Sequence, residues 1–152
     1  MAMHGLGVID KTVQQTEMWV NEVAKETGLE DKHKAFQGLR VVLHVLRDRM
    51  NLGEAANLGS QLPILLSGFY YENWKPEKNG TITPRTKEAF LDQIREQMHQ
   101  FFKNDGGDID AEQLARAVFK VLANHVTEGE AKNVVHNMPS DVKELFPQEI
   151  RA

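Results

Sequence analysis

The chain contains no cysteine, which removes disulfides, thiolate catalysis and thiolate metal sites together and fits a reducing compartment. It also lacks an excess of positive charge: 18 Lys and Arg stand against 22 Asp and Glu, a net charge of -4, with no concentrated basic block. Phosphate backbones are bound by basic patches, so nucleic acid is not the expected partner. No apolar run approaches the roughly 20 residues of a membrane-spanning helix. Met1 to Val8 is too short and too little apolar for a secretory signal. A soluble, cytoplasmic protein without membrane insertion is expected. Phosphate-binding glycine loops, Gly-x-Ser-x-Gly and dinucleotide fingerprints are missing, as is low-complexity sequence. The sequence therefore predicts neither an enzyme nor a resident cofactor or metal.

What the chain does have is a copy of part of itself. Ala35 to Tyr70 lies over Ala111 to Phe146 at a constant offset of 76 with no gap. The 11 identities in those 36 positions include Gln37/Gln113, Arg40/Arg116, Gly53/Gly129, Glu54/Glu130 and Pro63/Pro139. Roughly two would arise by chance, so a tandem duplication of one helical unit is inferred.

Apolar spacing sets the units. A first helix spans Asp10 to Thr27, stopped by Gly28, and a second runs from about Asp31 to Met50. Val41 and Val45 widen the second helix's apolar face beyond a single stripe, which predicts a largely buried central helix. Asn51 and Thr127 are each followed three residues later by glutamate, Glu54 and Glu130. These read as capping boxes, in which the cap accepts from a backbone N–H and the glutamate reaches back. Pro63 and Pro139 mark restarts, with last helices at about Ile64 to Tyr71 and Ser140 to Phe146. Thr83-Pro84 or Thr86 opens a further helix, Lys87 to Phe102, the counterpart of the first at an offset of 71. The second half then needs about five extra residues, placed in Lys103 to Asp108, with Asp108 or Asp110 capping the next helix. The resulting organisation is a loose N-terminus (1–9), a first repeat (10–74), a linker (75–84), a second repeat (85–147) and a tail (148–152). The fold class is all-α: two tandem four-helix units packed as one compact helical domain.

The run from Gln61 through Leu62-Pro63, Leu65-Leu66-Ser67-Gly68-Phe69-Tyr70-Tyr71 to Trp74, with the second Gly-Glu-Ala leading to Met138-Pro139 and Leu145-Phe146, resembles the bacterial DUF2267 family. The likeness extends from about Val13 to Phe146. It implies a small cytoplasmic protein of two helical halves in tandem, of unassigned function, with no catalytic residues to carry over. Asn73 stands where a glycine before the tryptophan is usual in the family, and Met138 where leucine is usual.

Several constellations invite chemistry and have plainer readings. Glu96-x-x-His99 has di-iron spacing, yet the second such motif is missing, so a solvent-facing pair is expected. Asn104 to Asp110 is acidic and glycine-rich, but no register supplies the ligands of an EF-hand. His125 and His136 are separated by the Thr127 cap and cannot share one helix face. Two features remain. Tyr70, Tyr71 and Trp74 read either as core closure or as an interaction patch, since tyrosine and tryptophan favour binding hot spots. Gln37, Arg40 and His44 align with Gln113, Arg116 and Lys120 along the polar side of each central helix. That stripe reads either as a solvated face or as a pair of basic grooves for an acidic partner. The leading functional expectation is a non-enzymatic adaptor that binds another protein through these residues. The alternative is a small-molecule or metal binder using a cavity between the halves near Glu96 and His99.

Overall fold

A computed structural model of the protein describes residues 6–102 and 109–151. The expected insertion at 103–108, the acidic loop up to residue 108, the first five residues of the N-terminus and the last residue of the tail lie outside the described residues. Seven α-helices occur among the described residues: α1 (Gly7–Thr27), α2 (Lys32–Arg49), α3 (Leu52–Gln61), α4 (Ile64–Tyr70), α5 (Lys87–Phe101), α6 (Ala111–His125) and α7 (Glu128–His136). Short 3₁₀ turns lie at Pro76–Lys78, Val142–Leu145 and Gln148–Ile150.

Local chemistry explains most of the boundaries. Gly28 closes α1 in the left-handed region at φ 72, which glycine adopts without a Cβ penalty. Asp31, Asn51, Thr86, Asp110 and Thr127 each cap a helix by accepting from a backbone N–H two or three residues on. α1 begins three residues earlier than expected, at Gly7. The Leu6 carbonyl accepts from the N–H of both Ile9 and Asp10 at 3.1 Å, so the helix starts without a side-chain cap.

The expected helix over Ser140 to Phe146 is instead the 3₁₀ turn Val142–Leu145. Pro147 forces the preceding Phe146 into extended backbone (φ -88, ψ 156), and Asp141 is drawn away to the backbone N–H of Lys87 at 2.8 Å. The first half thus has four helices, and the second has three and a turn.

α2 and α6 form the centre. α1 packs on α2 and α6, α5 packs on the same two, and α3 meets α7. Every apolar face of α2 is consequently covered, and Leu39, Val42, Leu43, Val45 and Leu46 are fully buried. Residues separated by 76 meet where the central helices cross: a Cβ on Gly38 of α2 would stand 2.7 Å from Leu114 Cδ1 of α6. The side chains stacked at the two ends of this centre also correspond. Trp19 of α1 stacks on His125 of α6 at 4.8 Å, and the Arg49 guanidinium of α2 lies 5.4 Å from the Phe90 ring of α5.

The capping boxes are only half formed. Asn51 and Thr127 accept from the backbone of Glu54 at 2.8 Å and of Glu130 at 3.2 Å, as expected. The glutamate side chains do not reach back. The Asn51 N–H goes to Asn137 Oδ1 at 3.3 Å, and the Thr127 N–H goes to Gln61 Oε1 at 3.1 Å. Each half supplies the acceptor that the other half's cap needs, which leaves both glutamates free to turn inward, where they are buried.

The Gly38–Leu114 contact gives a direct test. G38A gains about 1 kcal/mol of helix propensity, but the new methyl overlaps a buried leucine, and overpacking costs about 1–3 kcal/mol. Urea unfolding should show a net loss for G38A. In an L114A background the same substitution should be neutral or stabilising, because the overlapping atoms are gone.

Candidate functional site

The sequence stripe on α2 does not face solvent. Gln37 is buried and its Oε1 accepts from Arg40 Nη1 at 3.3 Å. Arg40 grips Glu72 with two bonds, Nε–Oε1 at 2.6 Å and Nη2–Oε2 at 2.7 Å. His44 Nε2 meets the Phe69 carbonyl at 2.6 Å. One turn on, Arg47 is 3% exposed and donates from Nη1 to the carbonyls of Tyr70 at 2.6 Å and Glu72 at 2.8 Å. These carbonyls belong to the open C-terminus of α4, which carries partial negative charge and lacks intrahelical partners. The α2 residues are therefore a clamp on α4, and no basic groove exists there.

Burial holds the His44 imidazole below its ordinary 6.5, outweighing the Phe69 carbonyl, which acts the other way. A neutral ring with Nε2–H donating to that carbonyl satisfies both observations.

On α6 the aligned stripe is exposed. Arg116 pairs with Glu112 at 2.9 Å and donates to the Glu144 carbonyl at 2.8 Å, and Lys120 reaches Glu26 at 3.0 Å. With Gln113 they line a cleft of about 570 Å³ that also holds Glu26, Arg95, Asp110 and Glu112. Its cations are answered by its own carboxylates, so it offers no net field to an acidic ligand.

The aromatic run is mostly internal. Tyr70 is fully buried, its hydroxyl donating to the Ala55 carbonyl at 2.7 Å, and it presents nothing to a partner. Tyr71 packs over Gly59, where a Cβ would stand 2.1 Å from its hydroxyl oxygen, and its ring centroid lies 5.2 Å from that of Trp74. Trp74 Nε1 donates to Asn79 Oδ1 at 2.6 Å. Core closure is what these three residues do, with Tyr71 and Trp74 half-exposed at its edge.

Glu96 and His99 lie on the exposed side of α5, and no group of three His, Asp or Glu capable of holding a metal occurs among the described residues.

The cavity that matters is elsewhere. Val13, Thr16, Glu17, Val20 and Asn21 of α1, Lys32 and Phe36 of α2, and Leu65 and Phe69 of α4 line a mainly apolar groove of about 380 Å³. Phe36 and Phe69 meet edge to face at 5.0 Å on its floor. Phe69 is itself fixed from behind by the Arg40 guanidinium, 5.8 Å from its ring, and by His44 on its carbonyl. Thr12 of α1 accepts from the Leu65 N–H at 2.9 Å and ties α4 to α1. Leu65 is exposed in this lining, and Ile9, one helical turn before Val13 on α1, is exposed as well. Among the described residues, six of the eight large exposed apolar side chains (Leu6, Val8, Ile9, Met18, Ile64 and Leu65) belong to α1, its N-cap or α4.

Val13, Val20 and Phe36 carry the helical spacing of core residues, so spacing alone does not mark them as groove residues. The available signal for a surface role was the apolar run Leu62 to Leu66, broken only by Pro63: a seven-residue helix cannot bury apolar side chains on all its faces.

Fold and site together define an all-helical protein with no membrane-spanning helix among the described residues and with an apolar groove beside its fourth helix. Over residues 16–145 the chain matches the family described as Uncharacterized conserved protein (DUF2267), and it belongs to that family. It matches none of the curated proteins.

The clamp predicts unequal arginines. Removing Arg47 leaves two buried carbonyls without a charged donor, so R47M should lose about 2–4 kcal/mol in urea unfolding. R116M removes an exposed ion pair and should lose no more than about 1 kcal/mol. His44 adds a pH dependence. Its pKa is lower folded than unfolded, so the unfolded chain takes up the proton first and stability is lost as pH falls through 6.5. H44Q should flatten that acid limb.

Proposed function

We propose that this protein is a non-enzymatic interaction module whose groove between α1, α2 and α4 receives an amphipathic helix of a partner protein. The observation that carries this reading is the groove's mainly apolar lining, which includes the exposed Leu65. A helix presenting apolar residues at i, i+4 and i+7 would cover such a surface, and Glu17 and Lys32 at the edge would give it polar register. α4 has no α-helical counterpart in the second half. If the halves are diverged copies of one unit, the groove is the feature that one copy keeps and the other lacks. The absence of cysteine supports a cytoplasmic setting for this binding.

A second reading has its own observation. A cavity of about 400 Å³ between α1, α6 and the α3–α4 junction is lined by Met18, Trp19, Gln61, Ile64 and His125, among others, with His125 paired to Glu22. Its size suits a small metabolite, and the Trp19–His125 stack suits a flat one.

Native mass spectrometry of the protein drawn from its host separates the two readings. The wild-type chain and R95E, altered on an exposed residue away from the groove, should carry the same protein companion. L65E should lose it at least about tenfold with an unchanged melting temperature. A companion retained by L65E would overturn the groove reading, and a small added mass lost on W19F would favour the second.

A further inference from the structure

We propose that Glu54 and Glu130 hold one proton between their carboxyl groups and form a latch between α3 and α7 that loosens when that proton is removed.

The geometry comes first. Both residues sit one turn into their helices, 9% and 5% exposed, at the α3–α7 contact. Their usual task at the N-cap is taken by the crossed side chains of Asn137 and Gln61, so neither carboxyl has a backbone partner of its own. The Glu130 carboxyl lies close enough to that of Glu54 to feel its charge. The second oxygen of each, Oε2, is buried without a hydrogen bond. Two carboxylates cannot make a hydrogen bond to each other, since each can only accept; a bond between them requires one proton.

Among the described residues, no ion pair joins a cation to either carboxyl. Facing the pair from α4 is Tyr70, whose phenol is committed to the Ala55 carbonyl. Behind it on α2, Arg47 and Asp48 pair with each other at 2.8 Å. On α7, Lys132 pairs with Glu128 at 3.2 Å and His136 is exposed. Glu149 on the 3₁₀ turn packed against α7 is exposed, and His125 at the end of α6 is held by Glu22. No third His or acidic ligand joins the pair among the described residues, so its donor set suits a proton better than a divalent cation. Burial and the neighbouring Glu54 carboxyl push the Glu130 carboxyl up to about 8.

The sign follows from linkage. The unfolded chain loses this proton near the ordinary 4.5 and the folded chain near 8, so the folded state binds the extra proton in between. The stabilisation is full below 4.5 and is lost as pH rises toward 8, by up to about tenfold in the folding equilibrium per pH unit for one proton.

Urea unfolding of the full chain across this range, for wild type, E54Q and E130Q, reads the effect. Wild type should lose stability as pH rises through neutrality. Each glutamine variant, whose amide donates without titrating, should be flattened and should equal or exceed wild type above about pH 8. Variants that keep the wild-type slope would overturn the latch. Infrared spectroscopy of the wild-type protein needs no variant to fold: a protonated-carboxyl stretch at neutral pH that vanishes near pH 8 is expected, and its absence at neutral pH would refute the shared proton.

Discussion

A helix covered on every side has to satisfy its own polar side chains within the protein, and α2 is such a helix. With α1, α4, α5 and α6 around it, water is not available to Gln37 or Arg47. A buried guanidinium without partners would be strongly destabilising. Besides the neighbouring Asp48 carboxylate, which takes Nε, the acceptors within reach are the carbonyls at the end of α4, which that helix cannot use itself. Clamping α4 therefore solves two problems at once: Arg47 is satisfied, and a helix of seven residues, too short to persist alone, is held in place.

The groove follows from the same constraint. Once α4 is fixed at its C-terminal end by α2 and near its start by Thr12 of α1, its Leu65 and Phe69 side chains have defined positions against Phe36 and Val13. Arg40 stands behind Phe69 and is itself locked by Glu72. The residues that shape the apolar surface are thus distinct from those that hold it.

The crossed caps set the relation between the halves. Asn51 with Asn137, and Thr127 with Gln61, are one contact made in both directions, since the offset of 76 carries Asn51 to Thr127 and Gln61 to Asn137. The same offset brings Gly38 against Leu114 and Glu54 against Glu130. A charged residue that would be neutralised at a helix N-terminus is instead placed against its own equivalent, where like charge must be relieved by a proton. The Glu54–Glu130 contact is the electrostatic cost of that arrangement.

What the sequence by itself determined was local: Gly28 ending α1, the caps at Asp31, Asn51, Thr86, Asp110 and Thr127, and the breadth of the α2 apolar face. These depend on backbone hydrogen bonds within a few residues and on helical periodicity, both of which are written in consecutive positions. Only the tertiary structure decided that Gln37, Arg40 and His44 turn inward while Gln113, Arg116 and Lys120 stay exposed. It also decided that Tyr70 is buried, that the last expected helix is a 3₁₀ turn, and that two capping glutamates meet. The same polar residue on the same helical position is solvated or buried according to what packs over it. That neighbour, α4 over α2, is chosen by contacts far apart in the chain.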